Sequence, residues 1–142
     1  MAHTDSYDQE VIAEFRARGG IVAGRLEGLS ILLLHHVGAK SGAERVTPLA
    51  YWRIGHGAVA VLASNYGAPR HPGWYRNLVA HPTTTVEIGA DTWAVRARVA
   101  PQDERQRLIA GIAARTPSVA ATVRTTRRPI PVVILDLLEQ VP

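Results

Sequence analysis

Apolar positions along the chain gather in short runs, separated by polar breaks that carry glycine or proline. In residues 5–18, Val11, Ile12 and Phe15 fall on one helical face and Gly19-Gly20 supplies a stop, which predicts a helix. A glycine-broken connector leads to Gly28. The run ILLLHHV (Ile31–Val37) and residues 45–54 read as two strands joined by a turn at residues 38–44. Gly55-His56-Gly57 is a second tight turn. Residues 58–64, small and apolar throughout, form a third strand buried on both faces, and the three strands predict an antiparallel meander. A polar loop at 65–71 precedes a helix that opens at Pro72, where a missing N–H costs nothing, runs to Val79 and stops at His81-Pro82. Residues 83–88 and 92–99 predict a hairpin across Gly89-Ala90-Asp91. Pro101 opens a helix with Asp103 and Glu104 in its first turn and Leu108, Ile109 and Ile112 toward the core. Residues 118–126 suggest a short helical turn and residues 131–138 a last strand. Strands arrive as hairpins rather than alternating with helices. This order predicts an α+β fold, an antiparallel sheet or small barrel with helices packed outside.

Length and composition narrow the class. With 142 residues, 46% of them hydrophobic and 20% charged, the chain suits one domain over residues 1–142 with a core of its own. No linker or internal repeat divides it. It has no cysteine, so disulfides, thiolate metal sites and thiol nucleophiles are excluded. The N-terminal MAHTDSYDQEVIAEF does not read as a signal or transit peptide, and the longest apolar run is far too short to span a bilayer. The expected location is cytoplasmic, with association to a membrane surface left open. A net charge of +4, spread along the chain, suits an anionic small ligand better than nucleic acid, for which the arginines lack aromatic interleaving.

Two stretches carry candidate chemistry. The first, VGAKSGAERVTP, holds the only lysine of the chain, Lys40, between two glycines. It is not a Walker A loop, whose spacing differs. Consecutive N–H groups in a glycine-bracketed turn nevertheless form an anion-binding concavity, to which Lys40 adds a point charge, Ser41 a hydroxyl and Arg45 a fork. A solvated hairpin tip is the simpler alternative. The second, ASNYGAPRHPGWYRNL, leaves a buried strand, crosses a polar loop and enters a helix whose free N–H groups favour an anion. Arg70 and His71 stand beside it, Trp74 and Tyr75 offer flat faces, and Asn65 and Asn77 offer polar groups. A helix docked through Trp74 is the alternative there. His35 and His36 point to opposite faces of a strand and lack further ligands at zinc spacing, so no metal site is expected. No nucleophile triad or carboxylate pair stands out, and no catalytic side chain is assigned.

Together the two stretches resemble the deazaflavin (F-420)-dependent nitroreductase family, known chiefly from actinobacteria. The pattern is met by Gly38, Lys40, Ser41, Gly42, Arg45, Thr47, Pro48, Leu49, Ala63, Ser64, Gly67, His71, Pro72, Trp74, Tyr75, Asn77, Leu78 and a late Ile130-Pro131-Val132-Val133. The resemblance spans Asp8 to Asp136. It implies a split β-barrel related to flavin-mononucleotide-binding oxidases. It also implies coenzyme F-420, whose tail carries a phosphodiester and several glutamates, and hydride transfer from the reduced cofactor to a conjugated acceptor (a quinone, enone or nitro compound). Lys40, Ser41, Gly42, Arg45, Thr47, Pro48, Ala63, Ser64, Asn65, His71, Trp74, Tyr75 and Asn77 would then bind the cofactor. The segment TPSVAATVR departs from the pattern: Thr116, Val119 and Thr122 stand where relatives carry tyrosines beside the acceptor pocket, which should open that pocket and weaken stacking. Ala39 replaces an arginine, and His35-His36 a pair of threonines. A non-catalytic carrier of a lipid or of the cofactor, and a flavin-mononucleotide or haem enzyme on the same barrel, remain alternatives. A homodimer is plausible on such a barrel.

Overall fold

The run ILLL is apolar at every position because both faces of its strand are covered. A computed structural model describes residues 6–23 and 28–142. In it, strand β1 (Ile31–Val37) sends Leu32 and Leu34 into one core, with Val59, Val61, Val86, Val95, Val133 and Leu135. Its alternate residues Ile31 and Leu33 pack against Val11 and Phe15 of helix α1 (Ser6–Ala17). Strand β4 (Ala58–Leu62) and the last strand β7 (Val132–Val141) repeat the device. Val59, Val61, Val133 and Leu135 face inward, while Ala60, Val132 and Ile134 pack on Ile112 of helix α3 (Gln102–Arg115). Each fully buried Leu or Ile contributes about 1.5–3 kcal/mol relative to exposure.

The remaining elements are β2 (Glu44–Ala50), β3 (Trp52–Arg53), α2 (Gly73–Ala80), the hairpin β5 (Thr83–Ile88) and β6 (Asp91–Val99), and α4 (Pro117–Thr125). The predicted meander keeps both of its antiparallel pairings but not an unbroken middle strand. The expected strand 45–54 breaks at Tyr51, and its two parts pair differently: β2 with β1, and β3 with β4. The sheet order is β2-β1-β5-β6-β7-β4-β3, antiparallel at every step. Its two edge strands are therefore separated by a single residue of chain. Ala50 and Trp52 are two Cα steps apart, under about 8 Å, so the ends of the two edge strands lie close together and the sheet curls into a barrel split at Tyr51. Pro48 sits on edge strand β2, where a missing donor is tolerated. Residues 118–126 are not a single turn but most of the nine-residue α4, and the last strand runs on to Val141. Part of the predicted glycine-broken connector, residues 24–27, lies outside the described residues. Among the described residues, no helix is long and apolar enough to cross a membrane.

Candidate functional site

The lysine-bearing turn is tied back on itself. The Gly38 N–H donates to the Ala43 carbonyl and the Gly42 N–H to the Gly38 carbonyl, both at 2.9 Å, while the Ala43 N–H reaches Ser41 Oγ at 3.1 Å. Gly42 adopts φ +71, the left-handed region that glycine occupies at least cost. A Cβ on Gly38 would collide with the Ser41 hydroxyl. Among the described residues, no carboxylate pairs with Lys40.

Helix α2 is fastened to this turn by Asn77. Asn77 is buried, its Oδ1 accepts from the Ala39 N–H at 2.9 Å, and its Nδ2 lies 2.9 Å from His36 Nδ1. His36 Nε2 in turn lies 2.8 Å from Thr47 Oγ1. His36 pairs with Arg45 across the ladder, so Thr47, two residues on, is its diagonal neighbour on the same sheet face. Burial, reinforced by the charges of Arg45 and His35, pushes the His36 imidazole down to about 4. His35 points to the other face and meets Glu87 at 2.6 Å, where Arg16 also binds. The two histidines do not converge.

The loop before α2 is held by Arg128, a residue the sequence gives no local reason to single out. Its Nε donates to the Ala68 carbonyl at 3.0 Å, and its Nη2 to the carbonyls of Ala63, Ser64 and Arg70 at 3.1, 3.0 and 3.2 Å. Its Nη1 donates to His71 Nδ1 at 2.9 Å. Desolvation, then the Arg128 and Arg76 charges, lower the His71 pKa and keep the ring a neutral acceptor. Inside this loop Asn65 and Tyr66 take φ +50 and +56, conformations that non-glycine residues adopt at a cost.

Two cavities lie between these pieces. One, of about 650 Å³, is lined by Lys40, Ser41, Arg45, Arg76, Asn77 and Gly73 at the start of α2; among the described residues its lining has three cations and no carboxylate. The other, of about 580 Å³, is mainly apolar. Leu49, Ala50, Leu62 and Ile130 line it, with Ser64, Asn65 and Tyr66 from the loop and Ser118, Val119, Thr122 and Val123 from α4. Thr47 and Trp74 line both, so the two cavities sit side by side as the two chambers of a groove. Pro72 opens into the apolar chamber, and the N–H groups of the first turn of α2 receive no side-chain cap from it.

The groove thus brings together Lys40, Ser41, Arg45, Thr47, Pro48, Ser64, Asn65, Trp74, Asn77, Val119 and Thr122 of the residues singled out from sequence. Five others stand off it. Gly42 shapes the turn, Ala63 is core, His71 and Tyr75 meet in a tilted ring contact with centroids 4.9 Å apart, and Thr116 is buried, its Oγ1 accepting from Trp52 Nε1 at 3.1 Å. Aromatic residues from elements other than α4 line the apolar chamber: Tyr7 and Trp52 beside Trp74, with the exposed Tyr66 at its rim. Tyr7 and Asp8 come from α1, far away in sequence, and only the fold places them there.

Residues 8–136 match the family profile described as F420H(2)-dependent quinone reductase. A Mycobacterium tuberculosis protein named as an F420H(2)-dependent quinone reductase is 38% identical over 127 residues, which cover 87% of this chain and 85% of that protein. A solved structure described as an F420-H2 dependent reductase, FDR-A, superposes with a TM-score of 0.66 at 36% identity, over 75% of this chain and 93% of its own. A second, described as a domain-swapped dimer, has a TM-score of 0.68 and 33% identity, over 92% of this chain and 95% of its own.

Proposed function

The chain belongs to the F420H(2)-dependent quinone reductase family, and on that premise we propose that it is an oxidoreductase passing a hydride from reduced coenzyme F-420 to a quinone. The observation that carries the site is the adjacency of two chambers: one lined by three cations and, among the described residues, no carboxylate shares Thr47 and Trp74 with an aromatic and apolar one. That arrangement fits an elongated heterocycle with an anionic tail. Lys40, Arg45 and Arg76, the amides of the Gly38–Gly42 turn and the start of α2 would hold the tail. Thr47, Pro48, Ser64, Asn65 and Trp74 would flank the ring. When bound, the cofactor supplies the hydride.

The side chains then bind, orient and exclude water. Leu49, Ala50, Leu62, Val119 and Ile130 give the acceptor end an apolar wall, which strengthens any hydrogen bond made to an acceptor oxygen there. Ser64 and Asn65, on a loop clamped by Arg128, are polar groups at that end with fixed backbone positions. Small residues at Val119 and Thr122 leave room, which supports other conjugated acceptors, enones and nitro compounds, besides quinones. A homodimer belongs to the same reading, supported by the solved relative described as a domain-swapped dimer.

The test is anaerobic mixing of the purified protein with reduced F-420 and a menadione-like quinone. The expected result is catalytic return of the oxidised cofactor's absorbance. Tight cofactor binding with no oxidation across a panel of quinones, enones and nitroaromatics would favour a carrier instead.

A further inference from the structure

The bonds around Asn77 have a direction that can be worked out atom by atom. The Ala39 N–H can only donate, so the atom it meets at 2.9 Å is the Asn77 carbonyl oxygen. The other terminal atom of Asn77 is then its NH2, 2.9 Å from His36 Nδ1. An amide NH2 also only donates, so Nδ1 accepts. A neutral imidazole carries one N–H, which must sit on Nε2, and it donates to Thr47 Oγ1 at 2.8 Å. One lone pair of the Thr47 oxygen is thereby committed to His36, and the hydroxyl proton is turned away from it. Thr47 stands where the two chambers meet.

We infer that His36, oriented by Asn77, is a positioning residue that holds the Thr47 hydroxyl as a hydrogen-bond donor into the groove. The groove therefore selects a ligand with an acceptor atom at the junction. A hydroxyl at position 36 would rotate and leave the direction open; an imidazole locked from behind does not. The inference rests on the F-420 reading for the identity of the ligand. The acceptor is either a phosphate oxygen of the tail or a carbonyl or nitrogen of the ring system.

Four measurements test it. In a 15N spectrum of the ligand-free protein, His36 is expected to show a protonated Nε2 and a bare Nδ1; a protonated Nδ1 with a bare Nε2 overturns the relay. In fluorescence titrations, Thr47→Val is expected to bind F-420 about 3–10-fold more weakly, the loss of one hydrogen bond, and Thr47→Ser to retain binding. Repeating the titration with a deazaflavin lacking the phosphate-bearing tail locates the acceptor. A loss for both ligands puts it on the ring, and a loss for intact F-420 alone puts it on the phosphate. His36→Phe is expected to weaken binding when Thr47 is present and to add nothing to Thr47→Val, whereas a purely structural role would weaken both backgrounds. Unchanged affinity of Thr47→Val beside normal wild-type binding overturns this inference alone. Wild-type protein that fails to bind F-420 overturns the functional reading with it.

Discussion

Replacing Arg128 with methionine keeps most of the aliphatic stem and removes the guanidinium. The consequence can be worked from its bonds. Three short bonds go to half-buried carbonyls, those of Ala68, Ala63 and Ser64 at 3.0, 3.1 and 3.0 Å. The bonds to the Arg70 and Pro129 carbonyls are exposed and longer, at 3.2 and 3.4 Å, and count for little. At about 1 kcal/mol net for each of the three, and with Arg128 itself only half-buried, the loss of folding stability is about 2–3 kcal/mol. A second cost falls on the loop. Its left-handed Asn65 and Tyr66 are held by this clamp, together with the bond from Asn65 Nδ2 to the Arg70 carbonyl, so Ser64 and Asn65 should move out of register with the groove. Urea unfolding would read the first effect and F-420 titration the second, with affinity falling at least about fivefold. Arg128→Lys should recover only part of both, because a point charge cannot reach the same carbonyls as a fork. A stability change under about 0.5 kcal/mol with unaltered affinity would refute the clamp.

Lys40→Ala should weaken F-420 binding by about 1–3 kcal/mol through loss of a charge-assisted contact, read by fluorescence titration; unchanged affinity would make the turn a solvated tip. Val119→Tyr should raise turnover of flat aromatic quinones by restoring a stacking face in the apolar chamber, and unmoved steady-state kinetics would put the acceptor elsewhere. Folding should also respond to pH through His36, whose folded pKa of about 4 lies below the ordinary 6.5. Its contribution is fully present above pH 6.5 and is lost as pH falls toward 4, because the unfolded chain takes up a proton that the folded one refuses. Thermal melts should therefore fall across that window, and His36→Gln should flatten the slope. Glu87, held below its ordinary value first by the Arg16 hydrogen bond, adds its loss only below about pH 4.5.

Much of the fold is legible because local signals agree with it. Val11 and Phe15 at helical spacing, proline before the first turns of α2 and α3, and the Gly89 hairpin each mark an element near its observed bounds. Strand partnership is not local. Nothing in the sequence LAYWR says that Tyr51 carries the chain from one edge of the sheet to the other; that follows only once β7 has found β4. The groove follows the same rule. Lys40 and Trp74 are legible as an anion turn and a flat face, and their meeting depends on Asn77 reaching Ala39 and His36, 38 and 41 residues away. Arg128 is one arginine of fifteen, with a role written in four carbonyls and one imidazole nitrogen at least 57 residues distant, beside the carbonyl of its own neighbour Pro129. Thr116 matches a pocket position by alignment of motifs, yet the indole of Trp52 claims its hydroxyl. The aromatic residues missing from α4 are partly replaced in the chamber wall by Tyr7 and Trp52, which no spacing rule connects to it.

On the proposed function, one groove, cationic at one end and aromatic at the other, would hold the deazaflavin cofactor. The most direct measurement is a parallel fluorescence titration of the wild-type protein with F-420 and with flavin mononucleotide. Saturable F-420 binding that weakens with rising salt, beside much weaker binding of flavin mononucleotide, is the predicted result. Equal affinity for the two, or none for F-420, would contradict the account.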